Sequence, residues 1–260
     1  MSGQLLLLVA ILIAVLTGIL FSLFHAYASI NMKADQIISG TALNMFAPAF
    51  AIYVARMIQA NGVQQITFAN TFRITKVPVL GDIPVIGGMF FRNAYITTYL
   101  GLLILIASVI VIYKTRFGLR LRACGEHPHA ADSVGINVYK MRYIGVMISG
   151  ALAGLGGLVF VVPTSTQFNA TVSGYGFLAL AVMIFGQWKP KRVLFAAFFF
   201  GLMKTIASAY SVIPILSTMG IPSDVFKMVP FIATLIVLAF TSKASQAPRA
   251  AGQPYDKGSR

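Results

Sequence analysis

The chain has 260 residues, of which 58% are hydrophobic and only 10% are charged. Soluble domains usually carry about 25% charged residues, so a water-soluble fold cannot hide this much apolar surface. The net charge is +14, but the basic residues stand in clusters between apolar runs, which argues against a nucleic-acid partner. The composition therefore predicts an integral membrane protein that contacts membrane lipid.

Seven apolar segments are candidates for crossing a bilayer, which takes about 20 residues. They are Gln4–Phe24, Ile37–Ile58, Ile96–Tyr113, Tyr143–Pro163, Val172–Trp188, Val193–Ile213 and Met228–Phe240. The first segment has no basic region before it, and its run of Leu, Ile and Val is too long for a signal peptide. The sequence predicts an all-α integral membrane protein, a polytopic bundle of about seven transmembrane helices over residues 1–240. A disordered, cytoplasmic tail is expected over residues 241–260.

Clusters of basic residues predict the orientation of the chain. Lys114–Arg142, Lys189–Arg192 and the tail from Lys243 onward are rich in Lys and Arg, and the positive-inside rule places them in the cytoplasm. The uncharged connection Pro163–Gly174 then lies outside. The long loop Gln59–Tyr95 also lies outside, although it holds basic residues of its own. This arrangement gives an outside N-terminus and a cytoplasmic C-terminus.

The segment between the third and fourth predicted spans carries the clearest functional signal. Pro128 suits the first turn of a helix, and Glu126 favours the positive end of that helix. Ala130 and Ala131 are strong helix formers, and Gly135 is placed to end the helix. We expect one or two helical turns on a basic cytoplasmic loop. One interpretation is that this short helix binds in a groove of another protein and transmits motion into the membrane. The alternative is an ordinary capped turn in solvent.

Small residues recur at helical spacing in the fourth predicted span. One ridge of this helix holds Gly145, Ser149, Ala153 and Gly157. The neighbouring ridge holds Gly150 and Gly154. Small residues at this spacing let helix backbones approach closely in lipid. Gly150, Gly154 and Gly157 are therefore predicted helix-packing residues, the alternative being incidental glycine in a buried helix.

Polar and aromatic residues mark a candidate solute pathway. Lys204 lies deep within a predicted span, where a lysine costs about 2.5 to 3.5 kcal/mol, so it needs an interior partner, an interface or an aqueous path. Ser39 and Asn44 on the second span, and Phe168 and Asn169 in the outer mouth, are the other candidates. The alternative is that these residues hold helices together or sit at the membrane interface.

Several kinds of chemistry have no signal in the sequence. There is no Gly-x-x-x-x-Gly-Lys-Ser/Thr loop, so ATP hydrolysis by that route is not expected of this chain. His127 and His129 are two residues apart, which does not suit a helical metal pair, and Cys124 is the sole cysteine. No carboxylate pair or Ser/His/Asp arrangement indicates catalysis. We expect no metal site, no bound cofactor and no enzymatic activity.

The inner loop resembles that of ABC-importer permeases that serve ribose, branched-chain amino acids and nucleosides. The family pattern Arg-Ala-x-Gly-x-Asn-Pro-x-Ala-Ala-x-x-x-Gly-Ile corresponds to Arg122–Ile136, with His127 in place of the usual Asn. Four further segments resemble this family: Met32–Asn44, Ile148–Gly157, Tyr175–Pro190 and Ile221–Phe231. The last two favour the nucleoside or simple-sugar subgroup.

The resemblance implies that residues 114–142 form a coupling loop that docks on an ATPase. The implied coupling residues are Arg122, Gly125, Glu126, Pro128, Ala130, Ala131, Asp132 and Gly135. The implied partners are a second permease subunit, an ATP-binding subunit that carries the ATP, and a substrate-binding lipoprotein at the bacterial plasma membrane. Such permeases usually begin with further helices, so this chain is expected to be a short or truncated variant.

Two rival functions stay open at this point. An ion-driven secondary transporter usually places carboxylates or broken helices at the membrane midplane, and no acidic residue falls at the centre of a predicted span. A truncated, non-transporting membrane scaffold would show no uptake at all. The expected function is the permease subunit of an ATP-driven importer for nucleosides or simple sugars.

Overall fold

The structure, a computed structural model, describes residues 3–59, 62, 66–68, 72–78, 80–84, 87–209, scattered positions between 225 and 239, and 247–258. Within these residues the helices are α1 (Gly3–Ala26), α2 (Gln36–Ile58), α3 (Ile96–Lys114), α4 (Arg116–Glu126), α5 (Pro128–Ser133), α6 (Val138–Thr164), α7 (Tyr175–Phe185) and α8 (Pro190–Ser208). The chain divides into a first unit, Met1–Val172 with Arg249–Arg260, and a second unit, Ser173–Pro248.

Four helical segments of the described chain are long and apolar enough to cross a membrane. They are Gly3–Asn31, which is α1 continued by a π-helical turn, Gln36–Ile58, Ile96–Lys114 and Val138–Thr164. The predicted polytopic helical fold is confirmed, whereas the count of seven spans is not. The fifth predicted span holds α7, which has only 11 residues. The seventh, Met228–Phe240, lies largely outside the described residues.

The long helices of the first unit run alternately between two ends of the unit. At one end the Tyr143 hydroxyl, near the start of α6, donates to Asn31 Oδ1, just after α1. At the opposite end Gln4 Nε2, at the start of α1, donates to the Phe72 carbonyl at 3.2 Å. The Phe68 N–H there bonds the Thr166 carbonyl, just past α6, at 3.0 Å. The inner loop and the long loop after α2 therefore lie at opposite ends of the unit, as their predicted sidedness requires.

Helices α1 and α6 form the closest helix contact of the first unit. A Cβ added to Gly154 would overlap the Ala14 carbonyl oxygen, and one added to Gly150 would overlap Ser22. Gly18 of α1 faces the Gly150 backbone in the same way, so backbone meets backbone. Among the described residues nothing lies within 4 Å of the Gly157 Cβ position, so a packing role for Gly157 stays a prediction. The contact uses the Gly150 ridge, since α1 crosses α6 on that face.

The loop after α2 contains a short antiparallel hairpin. Strands β1 (Arg73–Lys76) and β2 (Arg92–Tyr95) pair with Arg73 opposite Tyr95 and Lys76 opposite Arg92. Between them the chain makes a 3₁₀ turn at Leu80–Asp82 and a π-helical turn at Gly87–Phe91. The Pro- and Gly-rich sequence predicted turns here rather than a regular helix, and the described residues agree.

The second unit pairs α7 with α8 through a tight turn. Phe185 near the end of α7 packs edge-on against Phe200 of α8, with ring centroids 5.6 Å apart. Gly186 lies so close to Val193 that an added Cβ would fall 2.5 Å from its Cγ2 atom. The small residue at the turn therefore lets the two helices start in contact.

Candidate functional site

Helix α5 in the inner loop has both of its ends formed by residues with special backbone roles. Pro128 occupies the first turn, where a missing N–H costs no hydrogen bond. Past the last turn, Gly135 has φ +83° and donates to the Asp132 carbonyl at 2.9 Å, while the Ile136 N–H reaches the Ala131 carbonyl at 3.0 Å. This pair of bonds is a Schellman motif, which needs the left-handed backbone that glycine adopts readily. The local sequence thus defines both ends of the helix.

The N-cap position of α5 lacks a side-chain hydrogen bond. His127 holds this position with φ −141° and ψ 84°, and its ring caps no backbone N–H. Asparagine, which the family pattern has here, accepts from the N–H two or three residues on. We expect His127→Asn to stabilise α5 by about 1 kcal/mol, measured as slower hydrogen exchange of its amides. Ala130→Asn is the matched control at an exposed position of the same helix, and equal slowing in both variants would contradict the capping effect.

A small apolar cluster lies beneath α5. Its buried members are Cys124 of α4, Ala131 of α5, Val138 and Met141 of α6, and Tyr255 of the C-terminal tail. Ala131 and Tyr255 are only 2% and 4% exposed. Burial raises the pKa of the Cys124 thiol, so little of it is the reactive thiolate at neutral pH. The cluster fastens α5 to α4 and α6 from its inner side.

The C-terminal tail completes the site, although its composition predicted disorder. Residues 249–257 run along the inner loop, where the Ala250 N–H donates to the Gly125 carbonyl at 2.9 Å. Arg142 Nη1 donates to the Gln253 carbonyl at 2.8 Å. A weak signal was present in the sequence, because Tyr255 is the one aromatic residue after Phe240.

Ion pairs bind the tail at two further points. Lys33 Nζ, in the connection between α1 and α2, lies 2.6 Å from Asp256 Oδ2. The hydrogen bond between them raises the pKa of Lys33 and lowers the pKa of Asp256, so both groups stay charged at neutral pH. Lys257 Nζ lies 3.7 Å from Asp132 Oδ1 of α5. The tail therefore bridges α5 and the start of α2.

The residues predicted for coupling divide into an inner and an outer group. Ala131 and Gly125 face the cluster or the tail, as described above. Arg122 lies with its guanidinium carbon 5.1 Å from the centroid of the Tyr113 ring, a cation–π contact with the end of α3. Glu126 and Ala130 are exposed.

The outer face of α5 is open to a partner. Ala130 and Ser133 are exposed there, and Val134, just past the helix, is 75% exposed. These side chains are small, so another protein can approach the helix backbone closely. We refer to Ala130, Ser133 and Val134 as the outer face of α5. Among the described residues, neither the cluster nor the tail covers this side of the helix.

The pathway candidates of the first unit are spread along α2 rather than gathered in one pocket. Ser39 lies near the start of α2, and its Oγ is 3.0 Å from His25 Nδ1. Phe168 and Asn169 line a small pocket of about 230 Å³ with Ile52, which is 13 residues further along the helix. At 1.5 Å per residue this separation is about 20 Å. The structure therefore does not bring Ser39 and Asn169 together.

Asn44 lies between these points, beside a break in the helical hydrogen bonding. Pro48 stands inside α2 and has no N–H, so the Asn44 carbonyl lacks its usual donor four residues on. The Asn44 side chain is exposed at the same level of the helix. A carbonyl and an amide thus offer hydrogen bonds in an otherwise apolar stretch.

An apolar cleft of about 660 Å³ opens between α1 and α2 in the first unit. Its wall includes the rings of Phe21, Phe50 and Phe168. Phe21 and Phe50 have centroids 5.9 Å apart, and Phe46 continues this aromatic group along α2. Phe168 is shared between this cleft and the smaller pocket.

Lys204 has an aromatic partner within the second unit. Its Nζ lies 3.7 Å from the centroid of the Tyr175 ring, at the start of α7. A desolvated cation–π contact contributes about 2 kcal/mol, which offsets much of the cost of placing lysine in a membrane. Lys204 lies just before the last turn of α8, four residues from its end at Ser208.

The long apolar helices of the first unit run alternately between its two ends, and the short helix α5 lies in a basic loop between two of them. This arrangement defines a multi-pass helical membrane protein. The chain matches the family described as branched-chain amino acid transport system / permease component over residues 1–238. The chain belongs to this family of transport permeases. No solved structure matches it.

Curated relatives of the chain carry more specific names. It is 44% identical over 252 residues to the guanosine ABC transporter permease protein NupQ of Bacillus subtilis, covering 96% of this chain and 78% of that protein. It is 41% identical to the nucleoside ABC transporter permease protein NupC of Lactococcus lactis, covering 95% and 77%. A putative glucose ABC transporter permease protein, TsgC13 of Haloferax volcanii, is 28% identical, covering 92% and 76%.

Proposed function

We propose that the chain is the membrane-spanning permease subunit of an ATP-driven importer that moves nucleosides across the bacterial plasma membrane. The observation that carries the proposal is α5, a short helix that begins at Pro128, is closed by Gly135 and has an exposed outer face. It lies at the end of the unit that holds the basic inner loop. Similarity to a guanosine permease and a nucleoside permease over nearly the whole chain supports the substrate class. ATP is bound and hydrolysed by a partner subunit.

The contacts of α5 suggest how motion enters the membrane. Its inner side packs on α4 and on the start of α6 through Ala131 and Val138. Helix α6 in turn meets the backbone of α1 at Gly154, and at Gly150 it meets the Ser22 side chain and the Gly18 carbonyl. A partner that displaces α5 therefore moves α6 and α1 together. A second permease subunit forms the other half of the pore, and a substrate-binding lipoprotein delivers the solute outside.

The chemistry along α2 suits a nucleoside. The ring of Phe168 offers a stacking surface to a flat base, and the Asn169 amide lies exposed beside it. Asn44 and the backbone carbonyl freed by Pro48 offer hydrogen bonds further along. Ser39 beside His25 is a further proposed pathway residue of the first unit. Lys204 beside Tyr175 is proposed separately, within the second unit.

Uptake into vesicles that contain the partner subunits tests the proposed function. We expect ATP-dependent accumulation of labelled guanosine, competed by unlabelled nucleosides and not by glucose. Competition by glucose alone would identify the substrate as a simple sugar, in line with the 28% identical relative that is named as a putative glucose permease. Uptake that follows a proton gradient without ATP would identify an ion-driven transporter. No uptake of either solute would contradict a transport function.

The proposed sidedness predicts which residues an impermeant thiol reagent can reach. We expect Ala130→Cys, in a Cys124→Ala background, to react in inside-out vesicles and not in intact cells. Asn169→Cys in the same background is the matched control, because it is also exposed but lies at the opposite end of the first unit. It should react in intact cells. The reverse labelling pattern would place α5 outside the cell and contradict its proposed role in coupling.

A further inference from the structure

The tail residues that pack on α5 also contact α6 and the connection that leads into α2. Tyr255 is in the centre of their contact, 4% exposed, with the His129 and Tyr139 rings 5.1 and 5.3 Å from its own. His129 belongs to α5, and Tyr139 belongs to α6. One aromatic side chain of the tail thus touches the coupling helix and the membrane-spanning helix behind it.

The same stretch of tail also reaches a third element. Asp256, next to Tyr255, pairs with Lys33 in the short connection that leads into α2. That connection ends at Asp35, whose carboxylate caps α2 by accepting from the Ile37 N–H at 2.7 Å. Asp256 is therefore linked to the first turn of α2 by an ion pair and two residues of chain. Among the described residues, this is a route from α5 to α2 that does not pass through α6.

We propose that the C-terminal tail is a strap that couples α5 to α2, so that motion of the coupling helix reaches the proposed solute pathway. The inference rests on the proposed function, because α5 must be moved by a partner for the strap to act. Tyr255 anchors the strap on α5 and α6. The Lys33–Asp256 pair joins it to α2. Loss of the strap leaves α5 able to dock but unable to move α2 efficiently.

Reactivity of Cys124 reports whether the tail is docked, independently of transport. This thiol is the only one in the chain and lies 3% exposed in the cluster that Tyr255 completes. Deletion of residues 249–260, or Tyr255→Ala, should raise its labelling rate by N-ethylmaleimide about tenfold, the change for each 1.4 kcal/mol lost from the closed state. Tyr255→Phe keeps the ring and should leave the rate unchanged. Equal rates in the deletion variant and the parent would overturn the docking of the tail.

The coupling role is read from the amount of guanosine imported per ATP hydrolysed by the reconstituted complex. We expect deletion of residues 249–260 to lower this ratio about fivefold, a typical effect of losing a coupling free energy. Lys33→Asp and Asp256→Lys should each lower it, and the double variant should restore it, which a purely structural role of Tyr255 does not predict. An unchanged ratio with exposed Cys124 overturns the strap and leaves the proposed function standing. Absence of ATP-driven uptake in the parent complex overturns the proposed function itself, whereas the labelling still reports the docked tail.

Discussion

Gly154→Leu is expected to destabilise the first unit by about 3 kcal/mol, the upper part of the range for overpacked contacts. A side chain at this position would overlap the Ala14 carbonyl and approach the Gly18 Cα atom. Both are backbone atoms, which cannot rotate away as a side chain would. Relief requires α1 and α6 to separate, and with them the unit loses its closest helix contact.

Thermal unfolding of the purified protein in detergent measures this effect. Gly156→Leu is the matched control, because Gly156 lies two residues away on the same helix and no described residue lies within 4 Å of its Cβ position. Its midpoint should equal that of the parent or exceed it slightly, since leucine is the better helix former. Equal midpoints for the two leucine variants would show that α1 and α6 do not meet at Gly154.

A variant carrying Ala130→Glu and Val134→Glu is expected to lose ATP-driven uptake by tenfold or more. Both positions lie on the outer face of α5, so the new carboxylates meet solvent in the isolated subunit and disturb no packing. In a docked complex they would be buried against the ATPase partner, where an unpaired charge costs several kcal/mol. The ATPase subunit should then fail to co-purify with the permease.

Two measurements separate a docking defect from misfolding. Cys124 should remain shielded in the double variant, since the inner side of α5 is untouched. Thr75→Glu adds an acidic residue to an exposed position of the hairpin, at the opposite end of the first unit, and should leave uptake unchanged. Full uptake by the double variant would mean that the ATPase subunit binds a surface other than the outer face of α5.

Local signals in the sequence were enough to predict α5. Proline at the first turn and glycine after the last turn act through the backbone of a few neighbouring residues, so Pro128 and Gly135 can be interpreted without knowing the fold. The same holds for the apolar length of α1, α2, α3 and α6. These features are determined by residues that are close in the chain.

The docked tail could not be predicted in the same way. Its composition is polar and rich in small residues, and the one apolar anchor, Tyr255, has its partners more than a hundred residues away in the chain. The glycine ridge shows a similar limit, because Gly150 and Gly157 look alike in sequence and only the course of α1 distinguishes them. The pathway candidates of the first unit likewise lie at different levels of α2, from Ser39 near its start to Phe168 and Asn169 beside Ile52, which no spacing rule indicates.

The length of α7 has a consequence for the membrane around the second unit. Its 11 residues measure about 16 Å, roughly half the 30 Å thickness of the hydrocarbon layer. Because the basic turn after it belongs at the lipid–water boundary, the opposite end of α7 at Tyr175 lies near mid-depth. The Gly174 carbonyl accepts from the Phe177 and Leu178 N–H groups, and any non-helical peptide group at this depth must be bonded to protein or water rather than face acyl chains. A polar environment is therefore needed near the middle of the hydrocarbon layer, at the level where the Lys204 ammonium lies 3.7 Å from the Tyr175 ring centroid.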